Sequence, residues 1–114
     1  MPTIAILGTM DTKGEEHGYV ADQIRQRGHQ VLIVDVGTLH EPRIKPDVRR
    51  ESVTAAAGCD FSELRAKQDR GEAVKAMSIG APIVLAQLVR DNRIHGVISL
   101  GGGGGTAIAT AAMR

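Results

Sequence analysis

A run of five glycines near the end of the chain is the first stretch whose residue types could do chemistry. Residues 101–105 are glycines, between a short apolar run and a helix-like segment that begins at Thr106. Ordering consecutive glycines costs much conformational entropy, so such a run favours a ligand that must approach the backbone closely. Unpaired backbone N–H groups in such a loop and in the first turn of a helix suit a phosphate. We therefore predict that a phosphate binds to this loop, and the alternative is a flexible linker or an engineered tail. The predicted binding groups are the amides of Gly102, Gly103, Gly104, Gly105 and Thr106.

A second polar stretch, residues 9–14, supplies side chains that suit the same ligand. Lys13 is predicted to neutralise phosphate charge, and Thr9 and Thr12 to donate hydroxyl groups. Asp11 is predicted to position a phosphate-bound Mg²⁺ or a water molecule. The alternative interpretations are an ordinary surface lysine at position 13 and a turn or helix-cap role for Asp11.

Asp35 is a further candidate, because it follows an apolar run at a place where α/β proteins often hold a ribose hydroxyl. Capping of the loop that follows is the alternative role. Neither standard phosphate motif is present. The spacing Gly101-x-Gly103 leads to Thr106 where the dinucleotide fingerprint needs Gly, and no Gly-Lys-Ser/Thr sequence exists. The predicted phosphate loop is therefore of another kind.

Other reactive residue types give weaker signals. The histidines show no metal-ligand spacing among themselves or with Cys59, so we predict no metal site built by protein side chains. Cys59 is expected to be an inert thiol, and Ser99 lacks the Gly-x-Ser-x-Gly elbow of many hydrolases. If the chain acts on a phosphorylated small molecule, Asp11 and His17 are the candidate general bases.

The elements that position these residues are predicted from hydrophobic patterns. Residues 3–7 and 31–36 are apolar, β-branched runs typical of buried strands, and a third strand begins at residue 94 or 95 and ends at residue 100. Between the first two strands, an amphipathic helix is predicted from Glu15, with Gly28 ending it.

The segment between the second and third strands is predicted to be helical after a long loop. The loop, residues 38–47, has a length typical of a lid or docking arm. A helix over residues 48–57 is expected to be capped by Asp47, and two more helices by Asp60 and Asp69. Pro82 inside the last helix predicts a kink or a split near Gly80.

Strands joined by helices predict an α/β fold with three layers. The expected architecture is Rossmann-like or flavodoxin-like, a short parallel sheet of order 2-1-3 flanked by helices. Ligands bind such sheets beyond the carboxyl ends of the strands where the topology reverses, which is here between the first and third strands. Residues 9–14 and 101–106 leave those two strands, and we expect them to form one site.

Composition limits the classes of partner. At 114 residues the chain is expected to form a single domain. Lys and Arg total 14 against 13 Asp and Glu, and aromatic residues make up 2%, so nothing favours direct nucleic-acid or membrane binding. The single cysteine favours a reducing, cytoplasmic setting. We expect neither a signal peptide nor a membrane span.

Several motifs, in order along the chain, resemble one known family. They are GTMDTKGE at residues 8–15, Asp35-Val36-Gly37, Pro46-Asp47, RGEA at residues 70–73, and the glycine run followed by Met113-Arg114. They resemble the N-terminal subdomain of a poorly characterised bacterial and plant family that includes the tomato inhibitor of tobamovirus RNA replication. The resemblance implies ATP binding with Mg²⁺, a tendency to dimerise and a longer architecture that this chain begins. Family members usually have Ser where this chain has Gly103.

The residues and the resemblance together favour an ATP-binding α/β domain with its phosphates on the glycine loop. Two alternatives stay open. One is a non-catalytic interaction or oligomerisation module, since an exposed sheet edge and apolar surface favour association. The other is an enzyme acting on a phosphorylated small molecule. The sequence assigns neither a reaction nor the base of the nucleotide.

Overall fold

A computed structural model describes residues 2–99, so the predicted glycine loop and the segment from Thr106 lie outside the described part of the chain. The strands are β1 (Thr3–Gly8), β2 (Gln30–Asp35) and β3 (Gly96–Ile98). The helices are α1 (Gly14–Gln26), α2 (Arg50–Ala56), α3 (Phe61–Lys67) and α4 (Arg70–Arg90).

The three strands form a parallel sheet in the order β2-β1-β3, as predicted. β1 pairs with β2 from Thr3 opposite Gln30 to Gly8 opposite Asp35. On its other side, β1 pairs with β3 up to Ile6 opposite Ile98. Since all strands run the same way, the segments that follow β1 and β3 leave the sheet at the same edge.

Alternating strand residues bury both faces of the sheet and thus produce three layers. Ala5 and Leu7 of β1 belong to the core cluster shared with α2 and α4, whereas Ile6 lies in a second cluster with Ala21 of α1. Side chains of a strand point alternately to opposite faces, which explains this division. The predicted α/β fold, with helices on both faces of a short parallel sheet, is confirmed.

The predicted caps are confirmed for two of the three helices that follow the long loop. The Asp60 carboxylate accepts from the N–H groups of Ser62 and Glu63, and that of Asp69 accepts from Glu72 N–H. The Asp47 cap is wrong. The carboxylate of Asp47 instead accepts from the N–H of Ile33 at 2.7 Å, and α2 begins three residues later without a side-chain cap.

α4 is one continuous helix through Pro82, so of the kink or split predicted near Gly80 the split is wrong, and the kink stays a prediction. A proline inside a helix removes one backbone hydrogen bond, but packing on both sides of the proline outweighs this loss. By length and composition alone, Gly71–Arg90 is a candidate membrane span. In this fold its buried stripe forms part of the core through Met77, Ala81, Leu85 and Leu88, which is the ordinary behaviour of a globular core helix.

Candidate functional site

The loop from Thr9 to the start of α1 lies at the carboxyl end of the central strand. The N–H of Lys13 donates to the carbonyl of Thr9 at 2.8 Å, and the hydroxyls of Thr9 and Thr12 are 2.8 Å apart. α1 begins after Lys13 with no side chain capping its first amides. The first turn of a helix therefore presents uncapped N–H groups and partial positive charge beside two hydroxyl groups.

The side chain of Lys13 lies on the surface next to this helix start. It is 49% exposed, and its Nζ is 3.5 Å from Oε2 of Glu16 one turn along α1. An exposed ion pair of this kind contributes little free energy and is easily exchanged for another partner. Lys13 can therefore reorient toward an anion at the helix start.

Asp11 is buried and fully engaged with the backbone. Its Oδ1 accepts from the N–H of Thr12 at 2.9 Å. Its Oδ2 accepts from Leu39 N–H at 2.9 Å and His40 N–H at 3.0 Å. These contacts agree with the turn-forming interpretation of Asp11, because its carboxylate joins the loop after β1 to the loop after β2.

The long loop at residues 38–47, here called the strap, lies over the ends of β1 and β2. Besides its contacts with Asp11, it is fixed through Arg43, whose N–H donates to the carbonyl of Met10 at 2.9 Å. The guanidinium Nε of Arg43 donates to the carbonyl of Asp11 at 3.2 Å. A Cβ at Gly14 would lie 2.8 Å from Cβ of Arg43, so the two loops pack closely.

Asp35 ends β2 and has no solvent exposure. Its Oδ1 accepts from Met10 N–H at 3.2 Å and Gly37 N–H at 2.8 Å. Its Oδ2 has no hydrogen-bond partner within residues 2–99. Burial raises the pKa of this carboxyl, although the two N–H groups and the charge of Arg50 act in the opposite direction.

Gly37 separates the two buried carboxylates. A Cβ at this position would overlap Oδ1 of Asp11 and would lie 3.0 Å from Oδ1 of Asp35. Any side chain here would therefore push the carboxylates apart. Glycine at position 37 allows the strap to turn between them.

Arg50 is a buried cation near Asp35. Its side chain is 3% exposed and donates to the carbonyl of His40, and its Nη2 is 3.4 Å from Oε1 of Glu41. The guanidinium carbon lies 4.5 Å from the centre of the Phe61 ring, in a cation–π arrangement. Arg50 thus joins the strap to α2 and α3.

His17 is buried under the end of β1. Its Nδ1 donates to the carbonyl of Lys13 at 2.7 Å, since a carbonyl can only accept. The ring lies so close to Gly8 that a Cβ there would overlap it. His17 therefore holds the helix start against the strand.

The structure groups Thr9, Asp11, Thr12 and Lys13 at the end of β1 and places Asp35 at the end of the neighbouring β2. The other predicted site residues, Gly102 to Thr106, lie outside the described residues. Within the described range, no group of three His, Cys, Asp or Glu side chains could hold a metal ion.

Sequence comparison relates the chain to proteins of one family. Residues 2–114 match the model of an uncharacterised protein family, UPF0261, N-terminal domain. A UPF0261 protein of Clostridium tetani is 40% identical over 111 residues, covering 97% of this chain and 28% of the relative. One from Rhizobium meliloti is 40% identical over 114 residues, covering 100% of this chain and 28% of the relative. The chain belongs to the UPF0261 family. It spans little more than a quarter of the length of these relatives.

In this UPF0261 domain, sequence reasoning missed Arg50 as a buried partner of the site. One signal was available. Arg50 lies three and four residues before Val53 and Thr54, so all three occupy one face of α2, and all three are buried. A charged residue on a buried helix face is uncommon enough to indicate a partner.

Proposed function

We propose that this domain binds a nucleotide of the ATP type, accompanied by Mg²⁺, at the carboxyl edge of the sheet between β1 and β3. The supporting observation is the uncapped start of α1 with Thr9, Thr12 and Lys13 around it. Backbone N–H groups at a helix N-terminus together with a lysine suit phosphate oxygens. The predicted amides of Gly102 to Thr106 complete this proposal, because their segment leaves the strand next to β1. The resemblance to the family of the tomato inhibitor supports ATP as the nucleotide.

The proposed roles of the two aspartates differ from each other. Asp11 already accepts three backbone N–H groups and is 2% exposed, so we assign it to loop structure. Mg²⁺ usually keeps several waters and is bound by one or two carboxylates together with phosphate oxygens, but the Asp11 carboxylate is already engaged. The hydroxyls of Thr9 and Thr12 are then its available protein neighbours in the described loop. Asp35 stays the proposed partner of a sugar hydroxyl.

Isothermal titration of ATP with Mg²⁺ tests the proposal. Replacing Lys13 with Gln removes one charge at the helix start and is expected to weaken ATP binding about fivefold to tenfold. Lys75→Gln is the matched control, because Lys75 is an exposed lysine on α4. No saturable binding by the native chain, or equal effects of the two substitutions, would overturn the proposal.

A second candidate function is an interaction module that forms homo-oligomers. The observation that favours it is the edge strand β3, where Ile98 is 38% exposed. No strand within residues 2–99 pairs with the outer edge of β3, and such an edge with an exposed apolar side chain is suited to pairing with another chain. We also propose a cytoplasmic setting, because Cys59 is a free thiol in the described chain.

A further inference from the structure

A cleft of about 410 Å³ lies at the outer side of β2, under the strap. Asp35 lines it from the end of the strand, and the strap and the start of α2 supply its other walls. None of its lining residues comes from the loop at residues 9–14. The cleft therefore lies apart from the phosphate-binding loop proposed above and shares only Asp35 with the proposed nucleotide site. Besides Asp35, its charged lining residues are Glu41, Arg43, Lys45, Arg49, Arg50 and Glu51.

Cations outnumber acids in the walls of the cleft. Two of the four cations are already paired, since Arg43 contacts Glu15 at 3.4 Å and Arg50 contacts Glu41 at 3.4 Å. Lys45 and Arg49 are exposed and make no ion pair with any residue from 2 to 99. These two side chains offer positive charge to an anion from solution.

The wall of the cleft also holds a buried acceptor. Oδ2 of Asp35 has no donor within the described chain, although the residue has no solvent exposure. A buried polar atom in this state requires a donor from outside, either a ligand or a bound water. The cations Arg50, Arg49 and Lys45 disfavour a positively charged donor, so a neutral hydroxyl group fits best.

We propose that this cleft binds a sugar phosphate. A hydroxyl group of the sugar donates to Oδ2 of Asp35, and the phosphate contacts Lys45 and Arg49. The volume is within the range of small-molecule sites. Because Asp35 is fully buried, a ligand reaches its Oδ2 only after a side chain in the wall of the cleft shifts.

Titration of the chain with ribose 5-phosphate tests this proposal. Saturable binding is expected, and Arg49→Gln and Lys45→Gln should each weaken it about fivefold to tenfold. Asp35→Asn should weaken it by a similar factor, with folding checked by circular dichroism. The two exposed substitutions keep the test valid if that variant does not fold. Lys75→Gln is the control and should leave ribose 5-phosphate binding unchanged.

Two further titrations separate the parts of the ligand. Inorganic phosphate and ribose alone should each bind at least about tenfold more weakly than ribose 5-phosphate. If inorganic phosphate bound as tightly as ribose 5-phosphate, the cleft would be a simple anion site and the proposal would be overturned. Ribose 5-phosphate binding that Arg49→Gln and Lys45→Gln leave unchanged would also overturn it. If AMP competes with ribose 5-phosphate, the ligand of the cleft is the ribose phosphate part of a nucleotide. If AMP does not compete, the ligand is a free sugar phosphate.

The two proposals fail separately. If the native chain showed no saturable ATP binding, or if Lys13→Gln bound ATP as tightly as the native chain, the nucleotide-site proposal would fail. The proposal for the cleft would be unaffected. Absence of saturable ribose 5-phosphate binding to the native chain would remove the cleft proposal and would leave the result for ATP unchanged.

Discussion

Asp11 joins the two loops at the carboxyl edge through three backbone hydrogen bonds. Replacing it with Ala leaves the N–H groups of Thr12, Leu39 and His40 without this acceptor in a partly buried region. Since hydrogen bonds to a charged acceptor are among the stronger ones, we expect Asp11→Ala to lower the free energy of unfolding by about 2–4 kcal/mol. Urea denaturation measures the change.

Hydrogen exchange tests whether this loss arises at the strap. In Asp11→Ala, the amides of Leu39 and His40 should exchange faster, whereas amides in the centre of β1 should change only as much as global stability does. Asp22→Ala is the matched control, because Asp22 is 68% exposed and pairs only with Arg25 in the described chain. Asp22→Ala should lower the free energy of unfolding by less than about 0.5 kcal/mol. Unchanged protection of Leu39 and His40 would contradict the assigned role.

The carboxyl of Asp35 should make stability fall with rising pH. Burial raises its pKa in the folded state above the ordinary value of 3.8, so the folded state binds this proton more tightly than the unfolded state does. Ionisation therefore destabilises the fold as pH rises from about 3.8 through the raised pKa. The asparagine side chain in Asp35→Asn cannot ionise, so this variant does not lose stability in this way as pH rises.

Urea denaturation of both proteins across this pH window measures the effect of Asp35. The stability of Asp35→Asn relative to the native chain should increase with pH, by about 1.4 kcal/mol for each unit by which the pKa is raised. A difference between the two proteins that stays constant with pH would show that burial does not raise the pKa of Asp35.

The contact between α2 and α4 depends on a single glycine. A Cβ at Gly80 would overlap the carbonyl oxygen of Val53 and lie 3.2 Å from Cγ1 of that residue. Alanine favours helix by about 1 kcal/mol over glycine, but backbone atoms of a packed helix cannot move aside cheaply. We expect Gly80→Ala to destabilise the protein by about 1–3 kcal/mol in thermal or urea unfolding.

Gly71 gives the opposite case on the same helix. It is exposed, and a Cβ there would meet Oδ1 of Asp69 at 3.4 Å, an ordinary contact. Gly71→Ala should therefore leave stability unchanged or raise it by up to about 1 kcal/mol. If Gly80→Ala raised stability as well, helix propensity rather than the contact with Val53 would determine the result.

The elements that could be predicted from sequence are those fixed by local chemistry. β1 and β2 are largely apolar and contain several β-branched residues, and the Asp60 and Asp69 caps follow from an acceptor placed just before a helix. Prediction failed where a distant contact decides. The carboxylate of Asp47 is taken by the N–H of Ile33, and α4 passes Pro82 because its neighbours hold it. Ile33 is not adjacent to Asp47 in the sequence, and the core residues that pack against α4 come from distant parts of the chain.

The same distinction between local sequence and distant contacts applies to the residues of the candidate site. Residue type and strand end were enough to select Thr9, Lys13 and Asp35, because α/β topology brings strand ends to one edge. The hydrogen bonds between Asp11 and the strap could not be predicted from the sequence, since the partner residues are 28 and 29 positions away along the chain. Arg50 was missed because its partner charges lie on the strap and on β2 rather than on α2.

Within residues 2–99, the sheet has one protected edge and one open edge. On the β2 side, Val48 forms a parallel bridge with Val34, and its N–H donates to the carbonyl of Ile33 at 2.9 Å. On the β3 side, no strand in residues 2–99 pairs with the outer edge. Self-association through a strand should therefore use β3 and not β2.

Two lysine substitutions distinguish this strand edge from the other exposed apolar surface of the chain. Ile98 on β3 is 38% exposed and Ile83 on α4 is 47% exposed. If the chain pairs through β3, Ile98→Lys should weaken self-association at least about tenfold in sedimentation equilibrium, because a charge on an edge strand opposes pairing. Ile83→Lys should leave it unchanged. The reverse result would place the interface on α4, and a native chain that stays monomeric at high concentration would contradict self-association through either surface.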